Sequence, residues 1–436
     1  MENKSISIKA ATATGLGAII GSGIFVLSGT AIALAGANAL IAFIIVGILA
    51  IIIALEMGEL AAIMPYKKGS GYSYTYEAFG SQLGFITGVL LYFSFATSIS
   101  VVTLGFGSYL YSMLGFGNPI IYAILEITAL AVLNLKGIKK AIKADFWLVI
   151  IKVSILSLFI ISAIVIALIN KTVAISNFSS TSEQGTVEMM FAASIVVFFA
   201  YSGFQTITTF TSKIDGKAAG ALKAIVWAVV ISMVLYIAIV ISMLVLAPSN
   251  TYKVSGDPLA FALKNAGAPE ALTLLIDIGA LIATTSAAIA MMLSSSRILY
   301  QIGVDGLLPK LFRKYDKSRD VATNNIMLSA FIAIIFLFAG NIYTITAISN
   351  FGLLFSYLMI GLSVIHFRRQ KISKGFKTPL YPVLTVIATV LLLIFIMSMP
   401  QEALSIGVAI LISLIVIYYI ISEINKDKVI KIKLFK

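Results

Sequence analysis

The sequence predicts an all-α polytopic membrane protein with about twelve transmembrane helices. Of the 436 residues, 60% are hydrophobic and only 11% are charged, and the mean hydropathy is +1.05. Soluble domains are usually about 45–50% apolar and about 25% charged. Twelve spans of about 20–25 residues need roughly 240–300 residues, so the chain leaves no room for a separate soluble catalytic domain.

Twelve apolar segments follow one another with short connections. They cover residues 10–33, 38–64, 83–112, 118–135, 144–169, 189–211, 221–248, 271–301, 325–340, 342–367, 379–398 and 403–422. The segments lack the ten-residue alternation that a membrane barrel would show. We expect helices, because a helix pairs its own backbone polar groups within lipid.

The distribution of basic residues supports this number of spans and predicts how the chain is oriented in the membrane. With the N-terminus in the cytoplasm, 27 of the 31 Lys and Arg residues fall on the cytoplasmic side, three lie outside, and Lys152 lies within a span. Such a bias follows the positive-inside rule. The sequence therefore predicts cytoplasmic termini, and the net charge of +13 needs no nucleic-acid partner.

Several classes of chemistry are disfavoured by what the chain lacks. It has no cysteine and a single histidine, His366, so thiolate and histidine-cluster metal sites are excluded. It also lacks the Gly-x-x-x-x-Gly-Lys motif of soluble ATPases. A channel would need a continuous polar pore, whereas the polar residues cluster near mid-membrane. We expect a transporter, not an enzyme, with no metal or other cofactor.

The first span contains three consecutive small residues, Gly21, Ser22 and Gly23. Small residues make helix unwinding inexpensive. An unwound turn would expose N–H groups that attract a carboxylate, and carbonyls that accept a cation or an ammonium group. Close packing of helices through small residues explains the same pattern equally well.

The sixth span has a counterpart at Phe199-Ala200-Tyr201-Ser202-Gly203. Corresponding interruptions in two five-helix halves are typical of an inverted repeat with a binding site between the halves. We therefore divide the chain into residues 1–169 and 189–367 as the two repeats, 379–422 as two further helices, and 423–436 as a basic cytoplasmic tail.

Several motifs give the chain a resemblance to the amino acid–polyamine–organocation (APC) transporters. They are Gly21-Ser22-Gly23, Glu59-Leu60 with Pro65 and Lys68-Gly69-Ser70-Gly71, Ser296-Arg297 with Asp305-Gly306-Leu307-Leu308-Pro309, and Phe367-Arg368-Arg369 with Pro379 and Pro382. The motifs agree with the family in order and topology over nearly the whole chain. The resemblance implies a LeuT-like 5+5 inverted-repeat core with discontinuous helices 1 and 6, plus two C-terminal helices.

The resemblance also implies a substrate site. The backbone N–H groups of Gly21, Ser22 and Gly23 would bind a carboxylate. The carbonyls at Ile19, Phe199 and Ser202 would bind the α-ammonium group, and the ring of Phe199 would close over the substrate. Gln205 stands where many relatives have an acidic residue, which favours neutral substrates.

Lys152 lies well inside the fifth span, where a lysine costs about 2.5–3.5 kcal/mol on insertion scales. Desolvation disfavours its charged form, so it can lose and regain a proton near neutral pH. The resemblance places it, with Thr285 and Ser286, at the position of the sodium site in sodium-coupled relatives. Lys152 then couples transport to protons, or it is a permanently charged strut. Glu126, in the fourth span, is expected to be paired or hydrated.

Together these observations predict a secondary transporter that moves amino acids across the cell membrane by alternating access, as a symporter with protons as the coupling ion. An exchanger without proton coupling and a transporter-derived amino acid sensor remain as alternatives. The expected partners are a small amino acid and the lipid bilayer.

Overall fold

A computed structural model describes residues 6–64, 71–137, 141–179 and 186–424. Within these ranges the chain is helical, and its only β-type pairings are two isolated bridges, Ile6 with Ile214 and Asp316 with Val321. The motif residues Pro65 and Lys68 to Ser70 and the tail from residue 425 onward lie outside the described residues.

The described part of the chain contains sixteen α-helices. They are α1 (Ile8–Ile19), α2 (Ser22–Ala35), α3 (Ala39–Ile63), α4 (Gly71–Phe79), α5 (Ser81–Leu114), α6 (Pro119–Leu135), α7 (Ala141–Ile169), α8 (Lys171–Ser179), α9 (Val187–Tyr201), α10 (Lys217–Leu246), α11 (Pro258–Asn265), α12 (Glu270–Val304), α13 (Thr323–Phe336), α14 (Ile342–Arg369), α15 (Val383–Met397) and α16 (Gln401–Ile424). A ten-residue 3₁₀ helix, Phe204–Lys213, follows α9.

The predicted fold class is confirmed. Eight helical stretches of the described chain are long and apolar enough to cross a membrane, and α6, α13 and α15 are shorter apolar helices. One of the eight stretches, Gly23–Ile63, includes both most of α2 and all of α3, which are joined by a turn at Gly36–Asn38. The first and sixth predicted spans are each interrupted. The boundaries of the two repeats stay a prediction.

Three helices in the connections were not predicted. These are α4, α8 and α11, each of nine residues or fewer. They are short and less apolar than the spans, so the hydropathy pattern that locates transmembrane helices does not reveal them.

The helices are arranged around α5, which packs against α12 and α14 and is the most deeply buried long helix of the described chain. At the periphery, apolar side chains remain exposed, including Leu168 and Ile169 at the end of α7 and Met397 at the end of α15. Large exposed apolar surfaces are unusual in soluble monomers. Here they form the surface that lipid covers.

A buried ion pair joins α3 to the end of α14. Glu59 is 1% exposed and accepts hydrogen bonds from Arg368 at 2.5 and 3.0 Å and from the Thr378 backbone N–H at 2.7 Å. The guanidinium of Arg368 also lies 4.8 Å from the centre of the Tyr381 ring. Glu59 therefore fixes the connection between α14 and α15 to α3.

Glu59→Gln should lower the free energy of unfolding by about 2 kcal/mol, because it leaves the partly buried Arg368 without its counter-charge. The matched control is Arg297→Gln, which breaks an ion pair with Asp320 whose side chains are both more than half exposed. Exposed pairs contribute little, so this control should keep the wild-type melting temperature in detergent. Equal losses in the two variants would contradict the role assigned to burial.

Candidate functional site

The first broken helix has its gap at Ile20 and Gly21. Helix α1 ends at Ile19, Gly21 adopts φ −97° and ψ −142°, and α2 begins at Ser22. Gly21 N–H bonds to the Ile19 carbonyl at 2.7 Å instead of continuing the helical pattern to Gly17. No side chain caps the start of α2. The first N–H groups of α2 therefore have no capping side chain, and an uncapped helix N-terminus favours the binding of an anion.

The second broken helix has its gap at Ser202 and Gly203. Helix α9 ends at Tyr201, Ser202 is extended, and Gly203 adopts φ +119° before the 3₁₀ helix begins at Phe204. This backbone conformation is accessible to glycine and strained for other residues. The chain thus changes from α to 3₁₀ geometry across the gap.

The two gaps lie directly against each other. A Cβ atom on Gly203 would lie 2.4 Å from the Ala18 carbonyl oxygen, and one on Gly23 would lie 2.3 Å from the Cα atom of Ala200. The glycines therefore serve both functions that the sequence left open. Gly21 and Gly203 allow the chain to unwind, and Gly23 and Gly203 allow the two broken helices to pack closely.

Tyr236 of α10 bridges the two gaps. Its hydroxyl lies 2.8 Å from the Ile19 carbonyl oxygen and 3.0 Å from that of Ala200, and the side chain is fully buried. Its ring packs on Tyr201 at 5.2 Å and on Phe43 at 6.0 Å between centroids. The single hydroxyl proton is thus shared between two carbonyls that unwinding has freed, one on each broken helix.

The carbonyls expected to meet an ammonium group already have hydrogen-bond donors. The Ile19 oxygen accepts from Gly21 N–H and from Tyr236, and the Phe199 oxygen accepts from the N–H of Ser202 at 3.1 Å and from its hydroxyl at 2.7 Å. A carbonyl has two lone pairs. An ammonium group that binds at either carbonyl must therefore displace a donor. The ring of Phe199 is 3% exposed.

Gln205 connects the second gap to α14. Its side-chain oxygen accepts hydrogen bonds from the Gly203 N–H at 2.9 Å and from the Tyr357 hydroxyl at 2.8 Å. The ring of Tyr357 stacks on Phe204 with centroids 5.6 Å apart. The neutral amide therefore caps the second gap through the Gly203 N–H.

Lys152 of α7 is 1% exposed and reaches the first gap. Its Nζ atom donates to the Gly17 carbonyl at 3.4 Å and to the Ser286 hydroxyl at 3.1 Å. The Gly17 carbonyl is available because Gly21 N–H has turned to Ile19. The lysine therefore links α1 to α12 through a carbonyl one turn before Ile20.

Thr285 lies beside Ser286 on α12 but has a different partner. Its hydroxyl donates to Glu126 Oε1 on α6 at 2.8 Å. The expected pairing of Glu126 is thus found, with a threonine.

Sequence reasoning missed the roles of Tyr236 and Tyr357, and it did not identify Thr285 as the partner of Glu126. A tyrosine within an apolar span has the pattern of a core residue, and its hydrogen-bond partners depend on how the helices pack. The one available signal was that a buried tyrosine hydroxyl needs a partner.

A multi-pass helical bundle with two helices broken at the same depth defines a membrane transporter, not an enzyme. Residues 6–421 match the model of a family described as amino acid permease. The chain belongs to this amino acid permease family, within the APC superfamily.

Two relatives from Bacillus subtilis (strain 168) align with most of the chain. The methylthioribose transporter is 30% identical over 413 residues, covering 89% of this chain and 87% of the relative. The branched-chain amino acid permease BcaP is 26% identical over 417 residues, covering 89% and 86%.

A solved structure shares the fold. The crystal structure of a mutant manganese transporter from Eremococcus coleocola superimposes with a TM-score of 0.59, covering 97% of this chain and 95% of that one at 14% identity. At this identity the similarity shows the LeuT-type fold alone.

Gly203→Ala should reduce transport at least about tenfold, because its Cβ would overlap the Ala18 carbonyl and force the two gaps apart. Gly80→Ala is the matched control: Gly80 also has a positive φ, +87°, but nothing lies within 4 Å of its Cβ position. Backbone strain of about 1–2 kcal/mol is common to both variants. Uptake into proteoliposomes at matched protein density measures the difference. An equal loss of uptake in both variants would show that backbone strain alone is responsible.

Tyr236→Phe should lower the melting temperature and weaken uptake about five- to tenfold, because removing one hydroxyl leaves two buried carbonyls with fewer donors. Tyr92→Phe is the control, since the Tyr92 hydroxyl is buried without a hydrogen-bond partner of standard geometry. That variant should match the wild type in both measurements. Wild-type uptake in Tyr236→Phe would rule out the bridging role.

Proposed function

We propose that the protein is a secondary active transporter that moves amino acids across the cell membrane by alternating access and is coupled to protons through Lys152. The observation that supports this most strongly is the hydrogen bonding of Lys152 to the first gap and to α12. The buried lysine places a titratable group at the first gap, where the substrate is expected to bind.

The substrate part of the proposal rests on the geometry of the gaps. The uncapped N-terminus of α2 offers backbone N–H groups and the positive end of a helix dipole to a carboxylate. Gly21, Ser22 and Gly23 supply those groups. Ile19 and Phe199 are proposed to supply carbonyls for the ammonium group once their present donors have moved, together with the carbonyl of Ser202.

The coupling part rests on the difference between a charged and a neutral lysine. As an ammonium group, Lys152 donates strongly to Gly17 and Ser286 and holds α1 against α12. As a neutral amine it donates more weakly, so α1 is freer to leave α12. Gain and loss of one proton would therefore bias the conformational change that opens the site to the far side.

The relatives suggest two substrate classes. BcaP is named as a branched-chain amino acid permease, and the more similar relative is named for methylthioribose, a solute without an amino acid backbone. The engaged carbonyls of Ile19 and Phe199 give this second class support, because such a solute needs no ammonium site.

A binding screen separates the two classes. Purified protein should gain thermal stability with one or more of the twenty amino acids and not with methylthioribose, since a ligand stabilises the state it binds. The deaminated analogue of the best amino acid should bind at least tenfold more weakly. Stabilisation by methylthioribose alone would transfer the proposal to the second class.

The coupling test is uptake into proteoliposomes under an imposed pH gradient. For one proton per substrate, a gradient of one pH unit can raise accumulation about tenfold, because it is equivalent to about 1.4 kcal/mol. Substrate accumulation by the wild type should approach this value and should not change when sodium is added. Lys152→Ala should accumulate nothing while exchange persists, and Lys152→Arg should hold one state, because a guanidinium stays charged.

Lys253→Ala is the control for the loss of a lysine, because Lys253 is an exposed loop residue. It should accumulate substrate as the wild type does. If wild-type accumulation does not respond to the pH gradient, the protein is an exchanger with Lys152 as a strut. If it binds amino acids yet neither accumulates nor exchanges them, it is a sensor.

A further inference from the structure

Glu126 is a carboxyl group buried in the middle of α6 with an unsatisfied oxygen. It is 7% exposed, its Oε1 accepts the hydrogen bond from Thr285, and its Oε2 is buried without a hydrogen-bond partner. A charge placed so deeply in a membrane protein is costly unless something balances it. The question is therefore what neutralises Glu126.

The helices that pack on α6 supply no cation at its level. Among described residues, α6 packs chiefly on α5, α12 and α13, and neither α5 nor α13 contains a charged residue. Helix α12 has Glu270, Asp277 and Arg297. These lie about 22, 12 and 18 Å from Thr285 along the helix axis at about 1.5 Å per residue.

The cation found at this level is Lys152. It donates to Ser286, and Glu126 accepts from Thr285, the preceding residue of the same helix. Two buried titratable groups, which carry opposite charges when both are ionised, are thus hydrogen-bonded to consecutive hydroxyls of α12. A single pair of side chains, Thr285 and Ser286, connects them across the helix.

We propose that Glu126 is the acid partner of Lys152 and accepts the proton that Lys152 releases. This inference rests on the proposed proton coupling. In the transfer step an N–H bond of the ammonium group breaks and an O–H bond forms on Glu126, leaving a neutral amine and a neutral carboxylic acid. Glu126 then loses that proton to water on one side, and Lys152 regains one from the other side.

The arrangement explains why a carboxyl group sits beside the coupling lysine without contacting the substrate gaps. Transfer within the pair removes two buried charges at once, so the neutral intermediate is inexpensive in a low-dielectric interior. It also weakens the hold of Lys152 on Gly17. Glu126 is therefore a positioning and proton-accepting residue for Lys152.

The test compares two isosteric variants of buried carboxyl groups in proteoliposomes. Glu126→Gln keeps an oxygen for Thr285 but cannot take up a proton. Glu56→Gln is the control, because Glu56 is fully buried on α3, both its oxygens lack hydrogen-bond partners, and it lies beside Gly361 of α14, away from α12. Accumulation under a pH gradient, exchange without a gradient, and the pH profile of uptake are measured for each.

Glu126→Gln should lose at least about fivefold in gradient-driven accumulation and shift the midpoint of the pH profile by about one unit, with exchange within twofold of wild type. Glu56→Gln should match the wild type in all three. Thr285→Val, which keeps the carboxyl group but removes the bridge, should also shift the midpoint. If Glu126→Gln does not fold, this variant decides, and an unchanged midpoint overturns the proposal.

Wild-type accumulation and pH profile in Glu126→Gln would overturn the inference, as would equal losses in Glu56→Gln. These failures are distinct from failure of the proposed function. That failure would show as wild-type uptake that ignores the gradient, or as a Lys152→Ala variant that still follows it. If Lys152→Ala loses coupling and Glu126→Gln keeps it, only the role of Glu126 is wrong.

Discussion

The structure depends on one constraint: backbone polar groups freed inside a membrane must find new partners. Two interrupted helices at mid-membrane depth release N–H and C=O groups that lipid cannot satisfy. The described structure supplies partners from helices α7 and α10 and from the 3₁₀ segment that follows the second gap. Lys152 of α7 takes the Gly17 carbonyl, Tyr236 of α10 takes those of Ile19 and Ala200, and Gln205, held by Tyr357 of α14, takes the Gly203 N–H.

These partners make the interruptions sensitive to the arrangement of the whole bundle. A rotation or tilt of α7 or α10 would remove a donor from one of the gaps, and a movement of α14 would remove the Tyr357 hydroxyl that holds Gln205. Conversely, a ligand that satisfies the same backbone groups would release the side chains that hold them now. Ligand binding and helix movement are thereby linked through a small number of hydrogen bonds, without any need for a long-range pathway.

The sequence predicted the helices and the two interruptions well, because both are local properties. Apolar length locates a span, and Gly21 and Gly203 mark positions where a helix can end. The side-chain partners were harder to predict. Lys152 stood out because a charge in an apolar span is rare, whereas Tyr236 has the same pattern as any buried aromatic residue. The 3₁₀ form of residues 204–213 was also missed, because its composition does not distinguish it from an α-helix.

That 3₁₀ segment has a mechanical consequence. Ten residues span about 20 Å in a 3₁₀ helix but about 15 Å in an α-helix. The segment Phe204–Lys213 therefore extends about 5 Å farther from its gap than α-helical geometry would allow. Its far end meets the N-terminal segment of the chain, where Asp215 N–H bonds to the Ile6 carbonyl at 2.9 Å. If this segment rewound as an α-helix, it would become about 5 Å shorter, and Ile214 would move away from Ile6.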